Sequence, residues 1–391
     1  MALTEQEQRL AKWFEEKGPE MLALTETLVN IDSGSYDKEG VDAVGRVLAD
    51  WLEARGIECE WIPLAERGDA IRAVTHKDAP GREILLMGHR DTVFGKGEVA
   101  KRPYSTRDGR AYGPGVCDMK AGLVQNAFIL AAFAELGGAP GPVAALFTGD
   151  EEIATFHSRP IIEAEAKRAR AVFNAEPGRM SGNVVTGRRG GVFFVAEVFG
   201  KAAHSGNSFH LGRSAIAEIA DKIGRWFAMN QRFADRNMQI NVGLVSGGQS
   251  VNSVAPYARC EIDLRYRTPQ DRDDLVAAVE EIATTQVIDG TRGEITIRGE
   301  YLPVAPTEAG DALFRHYRAA AGDLGIALDG EFTLSCADSG FTAAQGVPTI
   351  CAIGPVGGHA HGPDEYLEID TVVPRAQAVA LAISRLGPET A

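Results

Sequence analysis

Five short segments of this 391-residue chain combine the residue types that bind metal ions and move protons. They are Gly-His-Arg-Asp (88–91), Cys-Asp-Met-Lys (117–120), Asp-Glu-Glu (150–152), Ala-Glu-Pro (175–177) and His-Gly-Pro-Asp-Glu (361–365). Imidazole and carboxylate donors suit Zn²⁺, and two cations held together can polarise a carbonyl and activate a water. Taken as one constellation, the five segments read as a paired-metal site.

Taken singly, each has a plainer reading. His89 and Asp91 form an H-x-D pair in which the carboxylate could hold the imidazole's second nitrogen, or they are a surface turn. Asp118 precedes an apolar helix and could simply cap it. Asp150, Glu151 and Glu152 could be a solvated acidic turn, although packing three acids behind a buried strand needs compensating cations. Neighbouring carboxylates with different tasks, one binding metal and one moving protons, fit the cluster. Glu176 could be a strand-end turn residue. His361 lies in a Gly- and Pro-rich loop, His359 to Glu365, that cannot be helical.

These segments need elements that bring them together. Four of the five follow apolar runs of strand type: Ile84 to Met87, Val143 to Phe147, Ala171 to Phe173, and Val347 to Ile353. In an open α/β sheet, ligand-binding groups gather at the carboxyl ends of parallel strands. Helical patterns at 4–31 and 39–55, then alternating strands and helices to about 180, predict such a sheet, mostly parallel. Residues 191–300 change character: strand (191–199), helix (211–228), strands (238–246, 258–267), helix (271–285), strand (294–299). That order is the β-α-β-β-α-β of a ferredoxin-like unit. The expected organisation is a main domain of 1–188 and 303–391 with an inserted domain of 189–302.

Composition narrows the class. A net charge of −14 without a basic cluster disfavours nucleic acid and anionic membranes. Residues 1–30 show no signal-peptide pattern, and no stretch approaches the roughly 20 apolar residues of a membrane span. A cytoplasmic enzyme is expected. The five cysteines are scattered and lack a C-x-x-C pair, which argues against a disulfide framework or thiolate zinc site; only Cys117, beside Asp118, stands near the candidate chemistry. Neither a G-x-S-x-G elbow nor a nucleotide-binding glycine motif occurs.

The order and local sequence of the five segments resemble the zinc-dependent metallopeptidases and deacylases that include glutamate carboxypeptidase, acetylornithine deacetylase, succinyl-diaminopimelate desuccinylase and aminoacylase. Glutamate carboxypeptidase is the nearest pattern. The resemblance implies a zinc-peptidase-like α/β catalytic domain with a ferredoxin-like α+β lid and dimerisation domain. It implies two zinc ions, with Co²⁺ or Mn²⁺ as possible substitutes. His89 and Glu176 would share one ion, Glu152 and His361 the other, and Asp118 would bridge them. Asp91 would support His89, and Glu151 would be the general base for a metal-bridged hydroxide. A non-proline cis peptide is expected at Asp118-Met119.

The same resemblance makes the Ala-His-Ser-Gly segment, with His204, an oxyanion-stabilising element donated across a homodimer; its plainer reading is a cap for the 211–228 helix. Asn252 and Arg265 match substrate-binding positions of the lid, with Arg189, Arg298 and the backbone at Gly358 as further candidates for carboxylate recognition. Glu300 stands where the glutamate carboxypeptidase pattern expects an arginine, which places preference for a C-terminal glutamate in question. The implied substrate is an N-acyl amino acid or short peptide cleaved to release an α-amino acid. Acetylornithine deacetylase-like or dipeptidase activity is the alternative, and a non-catalytic metal-binding dimeric scaffold is the alternative of another class.

Overall fold

The computed structural model describes residues 2–389. The chain divides into two compact units, the second comprising Arg188–Ala305 and Leu334–Cys336 and the first the remainder.

The first unit is built on an eight-stranded mixed sheet. Its four central strands, in the order Val143–Thr148, Glu83–His89, Ala169–Asn174 and Thr349–Cys351, all run parallel. Antiparallel strands flank them on both sides. The central strands are buried along nearly their whole length, as expected where helices cover both faces of a parallel sheet. That explains their continuous apolar runs. Register then fixes a common rim: His89 lies opposite Thr148, and Met87 opposite Asn174. Residues just past these positions therefore emerge side by side.

The helix Ala121–Leu136 packs in this core, apolar on all sides rather than striped. By length and hydropathy the segment Val116–Leu136 could cross a membrane, contrary to the expectation that no stretch comes near that length. Its burial identifies it as a core helix: 94% of its most apolar window is covered by protein.

A smaller antiparallel sheet completes the unit, in the order Gly357–Gly358, Tyr366–Glu368, Arg110–Tyr112 and Ser105–Arg107. The hairpin loop between its first two strands carries residues 359–365.

In the second unit, strands Gly190–Phe199, Gln239–Gly247, Tyr257–Tyr266 and Arg292–Tyr301 alternate with helices Ala215–Arg232 and Pro269–Thr284 in the β-α-β-β-α-β order. All pairings are antiparallel, and Tyr257–Tyr266 lies inside the sheet between Gln239–Gly247 and Gly190–Phe199. Its even-numbered residues are buried and its odd-numbered ones half-buried, the two-residue period of a sheet with one covered face. The first helix starts at Ala215 rather than 211, because Phe209–Leu211 forms a separate 3₁₀ turn and Ser214 caps the helix. Leu334–Cys336 joins this unit from far along the chain, tied by Arg188, whose Nη1 donates to Ser335 Oγ (3.0 Å) and the Cys336 carbonyl (3.1 Å).

Candidate metal centre

His89 is the last residue of its strand, Asp150 to Glu152 follow the neighbouring strand Val143–Thr148, and Glu176 follows Ala169–Asn174. Asp118 enters from the turn before the core helix and His361 from the small-sheet hairpin. All five converge. Asp118 Oδ1 lies 3.3 Å from His89 Nε2, while Asp118 Oδ2 lies 3.3 Å from His361 Nε2. Glu176 Oε1 is 3.8 Å from His89 Nε2, and Glu152 Oε2 is 3.1 Å from His361 Nε2. One carboxylate thus faces two histidines, and each histidine has a glutamate of its own. Donor atoms of His89, Asp118 and Glu152 lie within 4.8 Å of one another.

Asp118 does not cap the helix. It has non-helical backbone angles (φ −113°, ψ 90°), the helix begins three residues later, at Ala121, without a side-chain cap, and the Asp118-Met119 peptide is cis.

Asp91, fully buried, organises two segments. His89 Nδ1 lies 3.0 Å from its carbonyl oxygen and 3.4 Å from Oδ1. Its carboxylate also accepts the backbone N–H groups of Glu151 and Glu152 (3.1 Å each) and the Ser35 hydroxyl (2.7 Å). Held through Nδ1, the imidazole turns Nε2 toward Asp118. Ser35 was not anticipated; it stands 56 residues from Asp91 and no local spacing marks it. Nor was Asp338, a buried carboxylate that accepts from the hydroxyls of Thr148 and Thr155 behind the acidic turn.

The electrostatics show what this cluster lacks. Burial, opposed by His89 and reinforced by Glu176, raises the Glu151 carboxyl well above its ordinary range. Burial likewise lifts Glu152 to about 7, although His361 pulls it down. Asp118 and Glu152 hold His361 up to about 10. Burial depresses His89, yet Asp118 and Asp91 outweigh it and leave the ring well above its usual value. Acids that resist ionisation and imidazoles that hold protons are the behaviour of a site short of positive charge. His89 Nε2, Asp118 Oδ1 and Glu152 Oε1 are buried without a hydrogen bond, although buried polar atoms are ordinarily paired. A divalent cation would answer both deficits. Cys117 is no competing ligand: it is buried, its thiol is pushed far up by burial, and it donates to the Gly358 carbonyl (3.9 Å).

Beside Glu152 opens a cavity of about 530 Å³, lined by Tyr36, Val93, Phe94, Lys96 and Ile153.

The remaining candidates lie elsewhere, all but Gly358 in the second unit. His204 is exposed, and its Nδ1 accepts the backbone N–H groups of Gly206 (3.1 Å) and Asn207 (3.2 Å), so it does not cap the following helix. Asn252 is its neighbour: the Ser205 N–H donates to the Asn252 carbonyl (3.0 Å). Arg265 donates to Cys336 Sγ (2.7 Å) and pairs with Asp263 (2.7 Å). Arg189 is 2% exposed and donates to Gln239 Oε1 (2.7 Å) and Asn237 Oδ1 (2.5 Å), which commits its Nη atoms to its own unit. Arg298 is exposed at a bulge between Ile297 and Gly299. Gly358 is buried, and a Cβ there would strike the Tyr366 ring.

Comparison with known proteins places the chain in a family. Residues 85–385 match the family model described as Peptidase family M20/M25/M40. The chain is 30% identical over 378 residues to carboxypeptidase G2 of Pseudomonas sp. (strain RS-16), covering 94% of this chain and 90% of that protein. It is 30% identical over 376 residues to succinyl-diaminopimelate desuccinylase of Burkholderia ambifaria (strain MC40-6), covering 90% of this chain and 95% of that protein. Its fold superposes on an M20 family metallo-carboxypeptidase, Sso-CP2, from Sulfolobus solfataricus with a TM-score of 0.77 at 18% identity, over 93% of this chain and 98% of the other.

Proposed function

Because the chain belongs to peptidase family M20/M25/M40 and is therefore a hydrolase, we propose that it is a two-zinc amidohydrolase releasing an α-amino acid from an N-acyl amino acid or short peptide. The observation that carries this reading is Asp118, whose two oxygens face different histidines at equal distance. In this reading His89 and Glu176 would hold one ion and Glu152 and His361 the other, with Asp118 available to both. The donor set suits Zn²⁺, and Co²⁺ or Mn²⁺ could take the same ligands. When bound, the ions would supply Lewis-acid polarisation of the amide carbonyl and a more acidic water.

The chain's own residues supply the rest. Glu151 takes a proton from the attacking water as its oxygen bonds to the amide carbon. As the C–N bond breaks, Glu151 returns that proton to the nitrogen, leaving a carboxylic acid and a free amine. Asp91 keeps His89 and the Glu151–Glu152 backbone in place. His204, with Nδ1 occupied as an acceptor, carries the hydrogen of its neutral form on Nε2 and so presents a donor for a developing oxyanion.

The second unit would act as lid and dimerisation domain. Its edge strand Gln239–Gly247 leaves Leu244 and Val245 each 63% exposed, a surface suited to a second copy of the chain. Asn252 is the lid's candidate for contacting substrate and Arg265 and Arg298 for its carboxylate, with Gly358 in the first unit; Arg189 would have to leave Gln239 and Asn237 to join them. Glu300 is paired with Arg272, so it is neutralised within the lid and does not stand in for the missing arginine.

The deciding experiment is release of free amino acids from a panel of N-acyl amino acids and dipeptides, with zinc-loaded and chelator-treated enzyme. Chelator-sensitive release of acidic amino acids supports the carboxypeptidase reading. Release of ornithine, diaminopimelate or neutral amino acids moves it to deacylase or dipeptidase, and no release from any member overturns it in favour of a scaffold.

A further inference from the structure

Glu365 closes the segment that begins at His361, and nothing in the chemistry above uses it. It is fully buried. Its Oε1 accepts the backbone N–H groups of Cys117 (2.9 Å) and Asp118 (3.0 Å), and its Oε2 accepts that of Gly115 (3.0 Å). Register explains the meeting. Tyr366 pairs with Tyr112 in the small sheet, so the residue before Tyr366 faces the segment that follows Tyr112.

Elsewhere in that segment the Val116 N–H donates to the Gly113 carbonyl (3.2 Å) and the Lys120 N–H to the Gly115 carbonyl (2.9 Å), which leaves the N–H groups of Gly115, Cys117 and Asp118 to Glu365. Asp118 and Met119 depart from helical geometry, so the N–H groups here fall outside the ladder of the following helix. A buried carboxylate is costly unless donors surround it, and buried N–H groups are costly unless acceptors do. Each solves the other's problem. The same hairpin is anchored separately by Arg102, whose Nη1 donates to the carbonyls of Gly362 (3.3 Å) and Pro363 (2.8 Å). Loss of Glu365 therefore frees the Asp118 segment more than the His361 loop.

We propose that Glu365 is the positioning residue for Asp118, holding its backbone so that one carboxylate reaches toward both His89 and His361. The inference rests on the two-metal reading. Glu365 touches no ion and no substrate; it acts by fixing the main chain from which Asp118 projects. Glutamine in its place keeps one acceptor oxygen but turns an NH₂ toward one or more of the three donors. Aspartate keeps the charge and withdraws it by one methylene.

The test is metal titration of E365Q and E365D against wild type, by competition with a chromophoric chelator, together with the visible spectrum of the Co²⁺-substituted proteins and far-UV circular dichroism. Glu368→Gln is the control: it lies on the same hairpin, but its carboxylate accepts from Arg110 Nε (2.9 Å) in a half-buried pair. The expected result is a folded E365Q whose second equivalent of metal binds 10–100-fold more weakly, with an altered Co²⁺ spectrum; E365D falls between it and wild type, and E368Q binds both ions normally. Should E365Q not fold, E365D decides. A folded variant binding two ions with wild-type affinity and spectrum overturns the proposal, and so does failure of both variants to fold, which would make Glu365 a purely structural residue. A wild-type protein that binds no metal pair refutes the two-metal reading instead.

Discussion

The rim of the central sheet and the loops of the inserted unit handle polar residues in opposite ways. At the rim, His89, Asp91, Glu151 and Glu176 are buried, and Asp91 alone secures an imidazole and two backbone amides. In the inserted unit, His204, Asn252 and Arg298 are exposed. Burying like charges is costly, so the rim is built for one arrangement and accepts change poorly. Exposed loop residues bear no such cost and can vary with the substrate. In the proposed reading the buried rim holds the metal ligands and the proton carrier, while the exposed loops supply His204 and the contacts to substrate.

Substitutions should break that contrast to different extents. The largest effect belongs to the rim: Glu151→Gln should lower kcat by about 10²–10⁴-fold, with two equivalents of metal retained by elemental analysis. Near-normal turnover would remove Glu151 from the proton-transfer role. His204→Ala comes next, with kcat down roughly 10²–10³-fold, as for loss of one oxyanion donor, and unchanged metal content. If steady-state kinetics instead show only a higher KM, His204 binds substrate and does not stabilise the transition state. Asp91→Asn should weaken metal binding about 10–100-fold, read by chelator competition; unchanged affinity would mean that the other contacts suffice to hold His89.

The smallest effect concerns pH and sharpens the contrast in the metal-stripped protein. Folded Glu152, raised to about 7, keeps a proton that the unfolded chain gives up near the ordinary carboxylate value. Stability should therefore fall as pH rises between those values. Folded His361, raised to about 10, contributes stability that is complete below its ordinary value of 6.5 and lost as pH climbs through 10. Both have the same sign. Calorimetry of stripped protein should show Tm declining from pH 5 to pH 9, while zinc, which competes with protons for these groups, should flatten or reverse the trend. A stripped protein whose Tm rises over that range would contradict the charge balance inferred for the site.

Much of this was legible in the chain. Strand-type runs ending in His89, the 150–152 acids and Glu176 announce themselves locally, because a buried parallel strand must be apolar and its end must be a turn. The insert's element order could be read for the same reason, since alternation and helical periodicity are local properties. Element boundaries were less secure: the 3₁₀ turn at Phe209–Leu211 delays the first helix of the insert. Ser35, Asp338 and Leu334–Cys336 carry no local mark, as their partners lie far along the chain.

What the sequence determined by itself is therefore the set of elements and the donor types at their ends, since both follow from short-range pattern and side-chain chemistry. Only the tertiary structure decided which donors meet. The parallel register of three strands places His89 near Glu176, the small-sheet pairing of Tyr112 with Tyr366 sets Glu365 against the Asp118 segment, and the turn at Asp118 directs its two oxygens to different histidines. Those are long-range hydrogen-bonding and packing outcomes, and no spacing along the chain encodes them.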